Sequence, residues 1–456
     1  MTVVTANQSF NDGGNLVIRT TLSSLDLTVA RGEEDVLARV GSLTLDPDQV
    51  PLLRAAAHTV RGTTRFHDVI QTFSVPARET PAGFRVEASL RADGLMEVDL
   101  VRDIGYDRNG VRRPTGVIYS ADSANPYEVA PIAGLLGNLT CNPGIVYDLF
   151  INNAEANVGH VFSTLEDVLT ELARVLGPGV DVSVELENPF QPDFEKVLAE
   201  IEPYEKILSP YRLVVKVPHT GPVNGGNVSL LLSGDGKLPF WYAAPSTEDA
   251  FRSHNLALFL REHGYRVNYT LMFEPYQIAL ALQAKPYFIN AFIRHRLMQS
   301  RRIRGLLEAY HSCRDKKHLE ELRAYLVTVD HLTDRAPFDD LLDVLNYAED
   351  LVAYRHTDDR EGSDGLDSLR HGLRLLKQCH LPDTRIIVCS MEGANNYPDI
   401  DKLMVEPEFT DVVDRLIITA EPNYLARFTS SNHVVSYQRR FMAAASTARH
   451  HGGTRG

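Results

Sequence analysis

Lys216 stands inside the apolar run Leu213-Val214-Val215-Lys216-Val217-Pro218. A charged lysine is costly to bury among aliphatic side chains. Desolvation favours the neutral amine, and a neutral amine can attack a carbonyl carbon to form a Schiff base. The plainer account is a lysine at a strand end that snorkels to water or pairs with an acid. Asp122 and Glu185 also stand at the ends of apolar runs. Carboxylates there would supply a base for a substrate hydroxyl and a carrier of protons to and from water. Their plainer account is ordinary ion pairing with Lys216 or with an arginine.

The elements that must position these groups are legible from about Gly116 onward. Short apolar runs alternate there with amphipathic segments. The runs are Val117-Ile118-Tyr119, a shorter one at Leu139 to Asn142, Val182 to Leu186, Leu213 to Val217, Val267 to Phe273, Tyr287 to Ile289, Ile386 to Val388 and Leu416 to Ile418. They make eight candidate strands. Between them, Ser163-x-x-Glu166 reads as a capping box before Leu165, Leu169, Leu172 and Leu176, and Gly177-Pro178 ends that helix. Phe194, Val197, Leu198 and Ile201 mark a second helix. Ser246-x-x-Asp249 opens a third that ends near Gly264, and Leu366, Leu369, Leu373 and Leu376 mark a later one. Repeated strand–helix alternation predicts an α/β fold, a parallel (β/α)8 TIM barrel, with a doubly wound sheet as the alternative. Chemistry in such a barrel sits at the C-terminal strand ends. Those ends hold Asp122, Thr140 to Pro143, Glu185 and Glu187, Lys216, Asn268 and Thr270, Asn290 and Ser390.

Four segments, in order, resemble those of the transaldolase family of Schiff-base aldolases, over about Gly116 to Phe428. Thr140-Cys141-Asn142-Pro143-Gly144 resembles the family's Thr-Thr-Asn-Pro-Ser motif. Val182-Ser183-Val184-Glu185-Leu186 resembles its third strand, and Val214-Val215-Lys216-Val217-Pro218-His219-Thr220 its Schiff-base strand. Asn268-Tyr269-Thr270-Leu271-Met272-Phe273 resembles its Asn-x-Thr-Leu-x-Phe signature. The resemblance implies that Lys216 forms an imine with a ketose donor. It implies that Asp122 is the acid/base at the bond being broken, and that Glu185 relays protons through a water held with Thr270. Thr140, Asn142, Asn268, Asn290 and Ser390 would contact substrate. A dihydroxyacetone-type unit would pass to an aldehyde acceptor, or be released in a plain aldolase. Because the imine is the electron sink, no metal or organic cofactor is expected. Family members often self-associate, so a homo-oligomer is implied. Glutamate at 185 resembles true transaldolases more than the fructose-6-phosphate aldolase group, which has glutamine there.

Two departures bear on the substrate. The family's Ser-Pro-Phe-Val-Gly-Arg is here Asn290-Ala291-Phe292-Ile293-Arg294-His295, and its Ser-Phe-Arg is Ser390-Met391-Glu392. Both family arginines bind a substrate phosphate, and an acid such as Glu392 would repel one. Glu274, where the family has serine, would add negative charge if it faced the site. Arg294 and Arg296 lead a cluster with Arg301, Arg302 and Arg304 that would replace the phosphate clamp or form a solvated helix face. The expected substrate is therefore a specialised carbonyl compound or sugar rather than an ordinary sugar phosphate, or one whose phosphate is held differently.

Composition sets the outer bounds. The 456 residues carry a formal charge of −14, with 44% hydrophobic and 23% charged residues. That balance suits a globular enzyme and argues against nucleic acid or an anionic membrane as partner. Cys141, Cys313, Cys379 and Cys389 form no CxxC pair, and the segment Met1 to Phe10 has no apolar signal character. With no membrane-length apolar run, the expected location is the cytoplasm. The histidines lack HExxH or zinc spacing, and Gly225-Gly226 with Gly234-x-Gly236 do not make a phosphate loop. Residues 1–112 read as a small α+β domain of unreadable role. It carries a helix from near Pro47 and a hairpin about Asp93-Gly94. Residues 113–440 are the barrel, with insertions near 222–239 and 300–365, and 441–456 read as a disordered tail. A non-catalytic barrel that binds a metabolite or partner is the other functional class, and the joint presence of Lys216, Asp122 and Glu185 argues against it. Trp241 reads as core rather than lid.

Overall fold

The computed structural model describes residues 7–10, 16–240, 242, 245–333, 340–390, 400–419 and 430–452. Eight parallel strands close into a barrel: β7 (Ile118–Asp122), β8 (Leu136–Cys141), β9 (Asp181–Glu185), β10 (Leu213–Pro218), β11 (Val267–Met272), β12 (Phe288–Ile293), β13 (Arg385–Ser390) and β14 (Leu416–Thr419). β14 returns to β7 with Ile417 opposite Ile118, so the sheet has no edge and the doubly wound alternative is excluded. The N-terminal strands are β1 (Asn7–Phe10), β2 (Leu16–Arg19), β3 (Thr28–Val29), β4 (Thr59–Gly62), β5 (Phe84–Leu90) and β6 (Leu95–Arg102).

Each barrel strand sorts its residues by parity. Val182, Val184, Val215, Val217, Ile386 and Val388 join the helices in the largest apolar core. The alternate positions point inward, where Ile118, Val214, Phe288, Ile387 and Ile417 fill the lower layer. Above that layer the inward positions turn polar. Both faces are buried, so the strands read as apolar runs rather than as plain alternation. No described helix is long and apolar enough to cross a membrane.

Several boundaries differ from the sequence expectation, each for a local reason. The capping box before Leu165–Leu176 is Thr164 with Asp167, one residue later than Ser163 and Glu166. Thr164 has the extended backbone a cap needs, and the Asp167 carboxylate also accepts from the Ser163 amide. The helix expected near Pro47 begins at Val50. β12 runs past Asn290 to Ile293, because β13 pairs with it up to Ser390. Asn290 is therefore inside the strand rather than at its end.

Among the described residues the sixth-strand insertion forms three helices, His295–Cys313, Lys317–Thr328 and Leu341–Arg355. They share a separate apolar cluster that includes Ile303, Leu322, Leu326 and Val344. The fourth-strand insertion touches them: Lys237 Nζ lies 3.3 Å from Asp330 and donates to the Val327 carbonyl. Asn432–Gly452 is helical where a disordered tail was expected from 441. Trp241 lies outside the described residues.

The N-terminal region forms a mixed sheet in the order β3-β4-β6-β5. Its hairpin pairs Leu90 with Met96 around Asp93-Gly94. Val60, Phe66, Phe84, Met96 and Leu100 make its own core. It joins the barrel base through Arg102 to Asp181 and Arg385 to Asp103, both at 2.8 Å.

Candidate active site

Five consecutive strands of the barrel, β7 to β11, carry the first candidates. Lys216 is opposite Glu185 on one side and opposite Asn268 on the other. Asp122 is opposite Thr140 two strand pairs further round, on β7 and β8. Lys216 is 5% exposed, and its Nζ lies 2.9 Å from Glu185 Oε2. Asp122 accepts a hydrogen bond of 2.7 Å from the Thr140 hydroxyl. Thr270, also buried, is level with Pro218.

The amine is not held uncharged, which corrects the sequence expectation. Burial alone would lower the Lys216 pKa, but the charges of Glu185 and then Asp122 outweigh it, and the net shift is upward. The resting group is an ammonium in a buried ion pair. Moving two such charges out of water costs several kcal/mol per ion, on the order that close pairing offsets. Cys141 and Cys389 stand nearby and are pushed up to about 12, chiefly by burial, so both are thiols.

Two buried amides have atoms without a partner among the described residues. Asn268 is 0% exposed, and neither its Oδ1 nor its Nδ2 has a hydrogen-bond partner among the described residues. Asn290 Oδ1 is in the same position. Leaving a buried polar group unpaired costs about 1–3 kcal/mol. One layer down, the contrast is plain: Asn138 donates to Ser120 at 2.9 Å and accepts from Ser183 at 3.3 Å. Asn142 differs again, since its Oδ1 caps the following turn by accepting from the Ile145 amide.

A bulge shapes the adjoining wall of β11 and β12. The β11–β12 register slips between Tyr269 and Met272, and Leu271 has φ of 69°, a left-handed value that leucine rarely adopts. Met272 consequently joins the outer core. Phe273 instead stacks on Phe292 at 4.5 Å and meets His295 edge-on at 4.9 Å.

Arg296, one of the arginines expected to clamp phosphate, is engaged elsewhere. Arg296 is 4% exposed; its Nε lies 2.9 Å from Glu274 Oε2 without hydrogen-bond alignment, and its Nη1 bonds Asp367. Arg355 donates to Glu274 at 2.7 Å and to Gln299 at 2.9 Å. Two guanidinium groups thus meet two carboxylates, and the Glu274 charge is spent internally. Burial first, then the charges of Arg355 and Arg296, lower His295 to about 3, so it is neutral and cannot replace a clamp arginine. Arg294 sits in the left-handed region with φ of 68°, its amide bonded to the Gly365 carbonyl at 3.0 Å. A Cβ at Gly365 would fall 2.9 Å from Arg294 Cα, so this approach requires glycine. Of the outer cations, Arg304 lies 3.6 Å from Asp358.

Ser390 closes β13 opposite Ile293. Its side chain and Glu392 lie outside the described residues. Sequence reasoning missed Arg355, Gln299 and Asp367, which no motif marks, and Phe273, which only the bulge turns inward. Comparison with protein-family models gives no match. Comparison with curated proteins gives no match either.

Proposed function

We propose that this chain is a Schiff-base enzyme of the transaldolase type, acting on a ketose or related carbonyl compound. The observation that carries the reading is the buried Lys216–Glu185 pair at 2.9 Å inside a closed barrel, beside Asp122 and the unpartnered Asn268. Structural ion pairs need no unpaired amide next to them. A polyhydroxylated substrate would satisfy both amide atoms.

The chemistry follows from the pair. Glu185 takes a proton from the Lys216 ammonium and leaves a neutral amine. The amine attacks the ketone carbon, and the carbinolamine loses water as a proton returns from Glu185, giving the iminium. Asp122 removes the proton of the hydroxyl one carbon beyond the α-carbon. The carbon–carbon bond breaks, its electron pair enters the iminium to form an enamine, and an aldehyde leaves. The enamine then attacks an acceptor aldehyde in a transferase, or takes a proton in a lyase. The spent charges of Arg296 and Arg355 favour a substrate without a phosphate at that wall.

Borohydride reduction with fructose or dihydroxyacetone, read by intact mass, tests the proposal. Wild type should gain one reduced adduct, and Lys216→Ala none. Fructose should be trapped at least as well as fructose 6-phosphate. No adduct across a range of ketoses would favour a non-catalytic binding barrel, and a strong preference for the phosphate would refute the neutral-wall argument alone.

A further inference from the structure

We infer that the cleft at the base of the barrel, where the N-terminal region meets it, binds a small multiply charged anion of the phosphate class. This site is at the opposite end of the strands from Lys216 and is independent of the proposed reaction. The cleft encloses about 410 Å³. Its lining carries Arg65, Arg102, Arg261, Arg266, Lys285 and His380, against Asp383 as its one carboxylate among the described residues. The N-terminal region supplies Arg65 and Arg102. The last turn of the helix Thr247–Glu262 supplies Arg261, and the segments before β11, β12 and β13 supply the others.

Part of this charge is already answered. Arg65 bonds Asp99, and Asp181 lies between Arg102 and Arg266 at 2.8 Å from each. Arg261 and Lys285 are exposed and make no ion pair among the described residues, so a positive surplus faces the cleft in a chain of formal charge −14. The Tyr287 ring, also in the lining, lies 4.7 Å under the Arg266 guanidinium. Burial above all, with the Arg266 charge adding to it, holds Arg102 below its ordinary range. An anion would relieve that crowding. Phosphate oxygens suit a site built from guanidinium forks and one ammonium. Bound there, the anion would bridge two regions of the chain and stabilise their junction by mass action. Cations that merely complement helix C-termini, as Arg261 could, would give no saturable site.

The test is calorimetry and thermal unfolding of the full chain with inorganic pyrophosphate and with glucose 6-phosphate, at ionic strength held constant with NaCl. At least one probe should bind saturably near one per chain and raise the Tm. The double variant R261Q/K285Q should lose at least about tenfold in affinity, since two charge-assisted contacts to the anion are removed. Arg261→Lys with Lys285→Arg should restore most of it, and Lys216→Ala should bind as wild type. Saturation by neither probe, equal affinity in R261Q/K285Q, or loss of binding in Lys216→Ala would each overturn the inference.

Discussion

Buried carboxylates meet buried cations at both ends of this barrel, and the two ends differ in kind. At the base, Asp181 is gripped by Arg102 and Arg266, and Asp103 by Arg385 and Arg85. Further guanidinium nitrogens donate to the carbonyls of Pro178, Tyr211 and Leu213. At the mouth, one lysine meets Glu185, with a second acid nearby and an amide left unpaired beside it. Guanidinium groups keep their proton and fork onto carboxylates, whereas an ammonium can give its proton up. Buried charge alone therefore does not mark a reactive site. What marks it is a cation able to deprotonate, set among groups the protein has left unsatisfied.

The largest effect that sharpens this contrast lies at the base. Asp181→Ala would strand two guanidinium groups, and removing one member of a buried pair costs about 3–5 kcal/mol. The variant should unfold well below wild type in urea or heat, yet the fraction that remains folded should still be trapped on Lys216. Loss of trapping in fully folded Asp181→Ala protein would mean that the two ends are not separable.

Glu185→Gln probes the other pair. The Glu185 charge is the largest influence raising the Lys216 pKa, and burial is what it overcomes. Without it burial should prevail, and the amine should become neutral at lower pH. The acid limb of the borohydride-trapping profile should move down by at least about one pH unit, while turnover falls for want of the proton relay. Stability changes with the opposite sense of pH. In wild type the pair stabilises fully below the unfolded lysine's pKa, and that contribution is lost as pH rises through the raised folded value. The variant should lack this alkaline loss. An unmoved trapping profile would show that Glu185 does not set the state of the amine.

How much of this was legible in the sequence depends on the distance over which each contact is made. The eight strands were readable because outward valines and isoleucines, such as Val215 and Val217, flank each inward residue within the same short run. Lys216, Glu185 and Asp122 were readable because a polar residue inside such a run must face inward. The protonation of Lys216 was not, since it is set by how close Glu185 comes across strands. The fate of Arg296 was equally hidden. Its partner Glu274 is also held by Arg355, 81 residues along the chain on the last helix of the insertion. Phe273 escaped because period-two reasoning fails at Leu271, where the bulge reverses the faces.

The smallest expected effect separates two asparagines that sequence alone cannot rank. Asn138 and Asn268 are both fully buried inside the barrel. Asn138 bridges Ser120 and Ser183, while Asn268 has no partner among the described residues. Replacing Asn138 with leucine would leave those two hydroxyls without their bridge and should cost about 1–3 kcal/mol in equilibrium unfolding. Replacing Asn268 with leucine removes an amide that is already unsatisfied, so stability should stay within about 1 kcal/mol of wild type or rise above it. The ketose concentration needed for half-maximal trapping should then increase in Asn268→Leu. Stability is traded here against binding, as expected where a polar group is kept for a ligand rather than for the fold. Equal destabilisation by the two variants would place Asn268 with the structural amides and remove the main distinction between the mouth and the layers beneath it.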